Sequence, residues 1–146
     1  MRNLKRALSL VMAMAMLIGM MTIGASAVSA SDFTDADEIV NTEAVSVLTT
    51  LNVINGKEDG SYFDPTGIVT RAEMAKMITV ALHGGEEPVL GTKTNPSYSD
   101  IKGHWAESYI EYCTSVGIIS GRGNGKFDPA ATVTVAEAAK MLLTAL

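Results

Sequence analysis

The chain has 146 residues, with 16 acidic and 11 basic side chains, two histidines, one cysteine and a formal charge of −5. That length admits one or two small domains. The acidic balance excludes a nucleic-acid binder that works through clustered Lys and Arg, while 47% hydrophobic against 18% charged residues raises the question of a membrane segment.

That hydrophobicity is concentrated at the start. Residues 1–30 carry Arg2, Lys5 and Arg6, then an apolar run from Ala7 to Ile23, then small residues with A-x-A at Ala25–Ala27 and V-x-A at Val28–Ala30. This is the layout of a secretory signal peptide, cut after Ala27 or Ala30. An apolar run of about 17 residues lies at the lower limit for spanning a bilayer. The reading is therefore export, with no membrane contact after cleavage. Losing three of the eleven basic residues leaves eight against 16 acidic, a formal charge of −8. The single Cys113 forms no intramolecular disulfide. Within I-E-Y-C-T-S-V it reads as a small buried hydrophobe.

The remainder is a repeat. Val69–Leu82 (VTRAEMAKMITVAL) aligns with Val133–Leu146 (VTVAEAAKMLLTAL) at a spacing of 64 residues. Upstream, Asn55–Pro65 matches Ser120–Pro129, and F-T-D at Phe33–Asp35 matches Y-S-D at Tyr98–Asp100. Residues 31–82 and 97–146 are thus two copies of one module. Residues 83–96, rich in Gly, Pro and charge, form a linker or surface loop.

In the first copy, Val40, Ala44, Val45, Leu48 and Leu51 recur at helical spacing. In the second, Trp105, Tyr109 or Ile110, Cys113 and Val116 do the same, and Gly117 stands where a helix would end. A short apolar pair, a Gly-rich turn and Phe-Asp-Pro follow in both copies. The proline keeps the residue before it extended. A second helix then opens on T-x-x-E: Thr70 to Glu73, and Thr134 to Glu137. In this capping box each side chain satisfies the other's backbone N–H. Met74, Met77, Ile78 and Ala81 form the core stripe behind the first cap, and Ala138, Met141, Leu142 and Ala145 behind the second.

Capping explains Thr70 and Glu73 but leaves Arg71 without a reason. A cation in the first turn opposes the helix dipole. Two readings stand: a solvated Arg near Glu73 or Asp64, or an anion site built from the guanidinium and the free N–H groups of the helix start. A calcium module, using Asp59, Asp64 or Asp128 in the turns, does not match the EF-hand spacing. His83 and His104 have no nucleophilic partner implied by motif. A two-helix module leaves no room for a deep catalytic cleft, so the chain reads as non-catalytic, with no cofactor and no metal.

The order Y-S-D, His104-Trp105-Ala106, Gly117-Ile118-Ile119, Gly121, Gly125, Phe127 and Pro129 in copy two, with Gly56, Gly60, Phe63, Pro65 and Thr70-Arg71-Ala72-Glu73 in copy one, resembles the S-layer homology domain family. The resemblance implies a mainly α fold of helix–loop–helix modules within a pseudo-threefold bundle. It also implies non-covalent anchoring to a bacterial cell wall or S-layer, through a secondary cell-wall polysaccharide that often carries anionic pyruvate ketals. Carried over, Arg71 is the anion contact and Trp105 the groove aromatic, with Asp100, Gly56 and Gly121 as neighbours. Further modules of the same kind are implied as partners. Two departures stand out: Val135 replaces the Arg in copy two, and Val40 holds the Trp position in copy one. A competent groove would then combine Arg71 with Trp105. An alternative is the anchor segment of a larger S-layer protein or wall-associated enzyme.

Overall fold

The computed structural model describes residues 28–57 and 59–146. The expected export signal, up to residue 27, lies outside the described residues. The fold is mainly helical, with α1 at Thr42–Thr50, α2 at Arg71–Leu82, α3 at Glu107–Ser115 and α4 at Val135–Ala145. Short 3-10 turns occupy Ala30–Asp32 and Ala36–Glu38. Extended pairing among the described residues is limited to isolated bridges, including Thr70 with Thr132. No described helix is long and apolar enough to cross a membrane.

Both predicted capping boxes form. Thr70 Oγ1 accepts from the Glu73 N–H at 3.2 Å, and Glu73 Oε2 accepts from the Thr70 N–H at 2.7 Å. Thr134 and Glu137 repeat this at 3.2 and 2.9 Å. Just past α3, Gly117 has φ +79°, as its position after a helix requires. The first copy puts Asn52 at the same place with φ +54°, and asparagine tolerates this left-handed turn.

The packing is out of phase with the repeat. Helix α2 belongs to the first copy by sequence, yet it packs on α3 and α4 of the second. Its Ala72, Met74, Ala75 and Ile78 share one core with Ile101, Ile110, Cys113 and Phe127. A smaller cluster of Ala30, Phe33, Ile39 and Val45, with Phe63 against it, holds the start of the first copy around α1. Flanked on two sides, α2 buries seven of its residues, Thr79 and Val80 completely. Helix α4 has the same pattern but one neighbour, and buries only Met141. The predicted stripes are corrected accordingly. Ala81 and Leu142 are exposed, and so are Val40, Ala44, Leu51, Trp105 and Val116 from the first-helix patterns.

Contacts also cross both expected boundaries. Val28–Ala30 belong to the folded first copy: the Val28 carbonyl accepts from Thr49 Oγ1 at 2.8 Å, the Ala30 N–H donates to Ser46 Oγ at 3.0 Å, and Ala30 is buried. A cut after Ala27 keeps these contacts, and a cut after Ala30 removes them. The linker is anchored at both ends. His83 stacks on Tyr112 at 5.0 Å, Glu87 pairs with Lys76 at 2.9 Å, and Ser97 Oγ donates to Glu111 at 2.8 Å, with Lys93 on the same carboxylate.

Cys113 is fully buried against α2, 3.2 Å from Thr79 Oγ1, and burial pushes its thiol pKa up. A buried, protonated thiol is unreactive. Ellman's reagent should therefore label less than about a tenth of the protein in native buffer and all of it in denaturant. Rapid native labelling would place Cys113 outside the core.

Candidate functional site

The docking of α2 on the second copy is a backbone event first. The Arg71 N–H donates to the Ala131 carbonyl at 2.9 Å, the Ala72 N–H to Pro129 at 3.0 Å, and the Val133 N–H returns to Val69 at 2.9 Å. The free N–H groups that a helix start must satisfy are thereby spent on the other copy's Phe-Asp-Pro corner.

That corner is held from beneath by Asp100. Its two carboxylate oxygens each accept a backbone N–H, from Phe127 and Asp128, both at 2.9 Å. Asp35 does the same for Phe63 at 3.0 Å and Asp64 at 2.7 Å. Burial opposes the charge on Asp100, but these N–H donors prevail and hold its carboxyl below the usual range. The acid of the F/Y-x-D triplet is therefore a loop clamp in this structure, with its acceptor sites turned to the backbone. The glycines have a steric reason. A Cβ on Gly121 would lie 2.6 Å from the Tyr98 ring and 2.5 Å from the Lys126 carbonyl, and one on Gly56 would lie 2.8 Å from the Phe33 ring.

Arg71 is only 2% exposed. Its Nε donates to the Phe127 carbonyl, Nη1 to Glu137 Oε1 and Nη2 to the Ser120 carbonyl, each at 2.9 Å. The guanidinium also lies over the Phe127 ring, 4.3 Å from its centroid. Burial lowers its pKa, and the Glu137 carboxylate works against that. Neither sequence reading of Arg71 anticipated this. It is not a solvated cation, and three of its five N–H donors already hold the two copies together.

Glu137 sits at the centre. It caps α4, pairs with Arg71, and takes Arg122 Nη2 on both oxygens at 2.9 Å. The Thr134 backbone N–H, helped by Arg122, pulls its pKa down to about 2 despite some desolvation. Beside it opens a cleft of about 230 Å³ lined by Arg71, Gly121, Arg122, Glu137 and Lys140, floored by Ile118 and Met141. Three cations thus face one carboxylate in a chain that is otherwise acidic. Arg122 and Lys140 were missed from the sequence, although the repeat carried a signal: Lys57 and Lys76 hold the matching positions in copy one. Those two line the matching first-copy cleft of about 280 Å³. There Lys57 is paired with Asp64 at 2.6 Å and Lys76 with Glu87. Asp64, weighed above as a calcium ligand, is thus occupied by an amine.

Trp105 does not line the Arg71 cleft, so the expected pairing of the two is not what the structure brings together. The indole is 57% exposed, 5.5 Å from His104 and 6.4 Å from Tyr109 between ring centres. Desolvation and a 2.5 Å hydrogen bond to Glu87 push the Tyr109 hydroxyl pKa up to about 12. Through Glu87 and Lys76 this aromatic edge leads to the first-copy cleft instead.

Comparison with known proteins gives this geometry its family. The S-layer homology domain matches residues 32–75 and 97–139. The chain belongs to the S-layer homology family. A cell surface protein of Thermoanaerobacter kivui is 32% identical over 148 residues, all of this chain and 19% of that protein. Cell surface glycoprotein 1 of Acetivibrio thermocellus is 36% identical over 81% of this chain and 5% of its own length. An uncharacterized cell wall amidase of Bacillus anthracis is 35% identical over 63% of this chain and 16% of its own length. The chain spans about a fifth or less of these curated relatives. S-layer homology modules and such relatives support a cell-surface anchoring module located at the cell wall.

Proposed function

We propose that the protein holds to the cell wall by binding an anionic secondary wall polysaccharide, such as a pyruvylated one, in the cleft between Arg71, Arg122 and Lys140. The observation that carries this reading is the grouping of three cations around one small cleft on a surface of net negative charge. An acidic polymer is repelled by the chain as a whole, so attraction has to be local and directional. Among the described residues Lys140 makes no ion pair, and two of the Arg71 guanidinium N–H groups are unused; both suit a carboxylate. Trp105, outside this cleft, is proposed as a second, sugar-stacking contact on the same polymer.

The test is co-sedimentation of the secreted protein with purified cell walls. Lys140→Ala removes an exposed amine and should weaken binding about tenfold without moving the melting temperature. Walls stripped of their secondary polysaccharide should retain none of the protein. Equal retention by stripped walls, or by Lys140→Ala together with Arg122→Ala, would overturn the assignment.

A further inference from the structure

Helices α2 and α4 carry a lysine at the same place, Lys76 and Lys140, and each lines one of the two clefts. Their ammonium groups differ in company. Among the described residues Lys140 makes no ion pair, while Lys76 Nζ lies 2.9 Å from Glu87 Oε1. Lys57, the other cation lining the first cleft, is held by Asp64. An incoming carboxylate therefore meets an unpaired amine in the second cleft, and in the first only amines that already hold a carboxylate.

The backbone delivers Glu87 to this spot. After α2, Gly84 and Gly85 turn the chain with φ +71° and +91°. Gly85 is buried, its N–H donates to the Val80 carbonyl at 3.0 Å, and a Cβ on it would lie 2.1 Å from the Leu51 carbonyl. Glycine alone passes so close to another stretch of backbone. From α3, Tyr109 Oη donates to Glu87 Oε2 at 2.5 Å, so each oxygen of this carboxylate has its own partner. The pair still lies at the surface, with the Glu87 side chain 49% and the Lys76 side chain 33% exposed.

We propose that Glu87 is an internal competitor for the first cleft: the linker carboxylate occupies Lys76 in place of a carboxylate of the wall polymer. This rests on the polymer reading proposed above for the second cleft. Binding at Lys76 exchanges one carboxylate for another, so the polymer gains there only what exceeds the contact with Glu87. Of the two internal carboxylates, Glu87 is the one that yields. Asp64 is fixed in the Phe-Asp-Pro corner, where Asp35 accepts its N–H at 2.7 Å. Glu87 stands on the linker, and its long side chain can turn out to solvent. The second cleft thus takes an anionic segment outright, and the first takes one only when Glu87 is displaced.

The latch can be read without any polymer. Acetic anhydride labelling of the secreted protein, followed by mass spectrometry, reports whether the Lys76 amine is engaged. Glu87→Gln should raise acetylation of Lys76 at least threefold and leave that of Lys140 as it was. With purified cell walls, the same variant should co-sediment about three- to fivefold more tightly than the parent, the range that an exposed ion pair allows. Lys76→Ala added to Glu87→Gln should cancel this gain. Glu86→Gln removes the same charge one residue earlier, from an exposed side chain, and should give no gain. A Lys76 amine that is no more reactive in Glu87→Gln would overturn the latch whatever the walls do. An equal gain from Glu86→Gln would overturn it too, by reducing the effect to net charge. If Lys76 is freed but wall binding does not tighten, while Lys140→Ala with Arg122→Ala loses binding, the competition is overturned and the polymer reading stands. If that double variant binds as the parent does, the polymer reading falls and the competition falls with it.

Discussion

Replacing Arg71 with alanine should lower the stability of the protein by about 3 kcal/mol, read from urea denaturation followed by circular dichroism. On sequence grounds the same change would weaken ligand binding and leave the fold alone, because a first-turn arginine has no structural duty. The geometry reverses that expectation. The side chain is 2% exposed and donates to two backbone carbonyls and one carboxylate, all on the other copy. Alanine removes the Arg71 donors to the Phe127 and Ser120 carbonyls, and an unmet buried acceptor costs about 1–3 kcal/mol. Glu137 keeps Arg122, so its share of the loss is smaller. Arg71→Lys should recover less than half of the deficit, since an ammonium cannot span three acceptors held at the angles of a planar fork. A loss under about 0.5 kcal/mol for Arg71→Ala would show that the two copies hold together without this clasp.

What the sequence made legible was local. The two T-x-x-E caps and the glycine after α3 each follow from interactions within a few residues of chain, and each forms, whereas the aspartate before each corner proline, expected to be extended, is left-handed, with φ +61° at Asp64 and +58° at Asp128. Helical periodicity located all four helices for the same reason. It could not say which face would be covered, because that depends on a neighbour far along the chain. Helices α2 and α4 have nearly the same sequence grammar, yet Thr79 is fully buried and Leu143 is 75% exposed. Nothing within a helix records that α2 crosses to the other copy's core. The site suffered from the same blindness. Arg71 was legible as an oddity, but its direction was not, and Trp105 was paired with it on family resemblance while packing leaves the indole exposed and outside the Arg71 cleft. Asp100 entered as a groove neighbour on the resemblance alone, although the identical use of Asp35 beneath the first corner shows a demand of the loop itself.

Acid should loosen this junction. In the folded protein Glu137 ionises with a pKa of about 2 against an ordinary value of 4.5, chiefly because the Thr134 N–H and Arg122 favour the carboxylate. A carboxyl whose pKa falls on folding contributes stability that is fully present above its unfolded pKa. That contribution drains away as pH drops toward the folded value. Asp35, Asp100 and Glu111 are lowered in the same sense, the two aspartates by the backbone N–H groups of the corners they clamp. The melting temperature should therefore be level from pH 7 to about 5, then fall by on the order of 10 °C between pH 4.5 and 2. Glu137→Gln keeps the capping geometry without the charge. It should melt lower than the parent at pH 7, and the gap should close as pH approaches 2, because protonation makes the parent's side chain neutral as well. The same fall should appear whether it is followed by helix signal or by exposure of Cys113 to a thiol reagent active in acid, since α2, α3 and the Glu137 junction share one core. A parent melting temperature that holds steady down to pH 2.5, or a Glu137→Gln gap that persists there, would mean that the carboxylate is a surface ion pair of little consequence and that Arg71 is held by its two carbonyls alone.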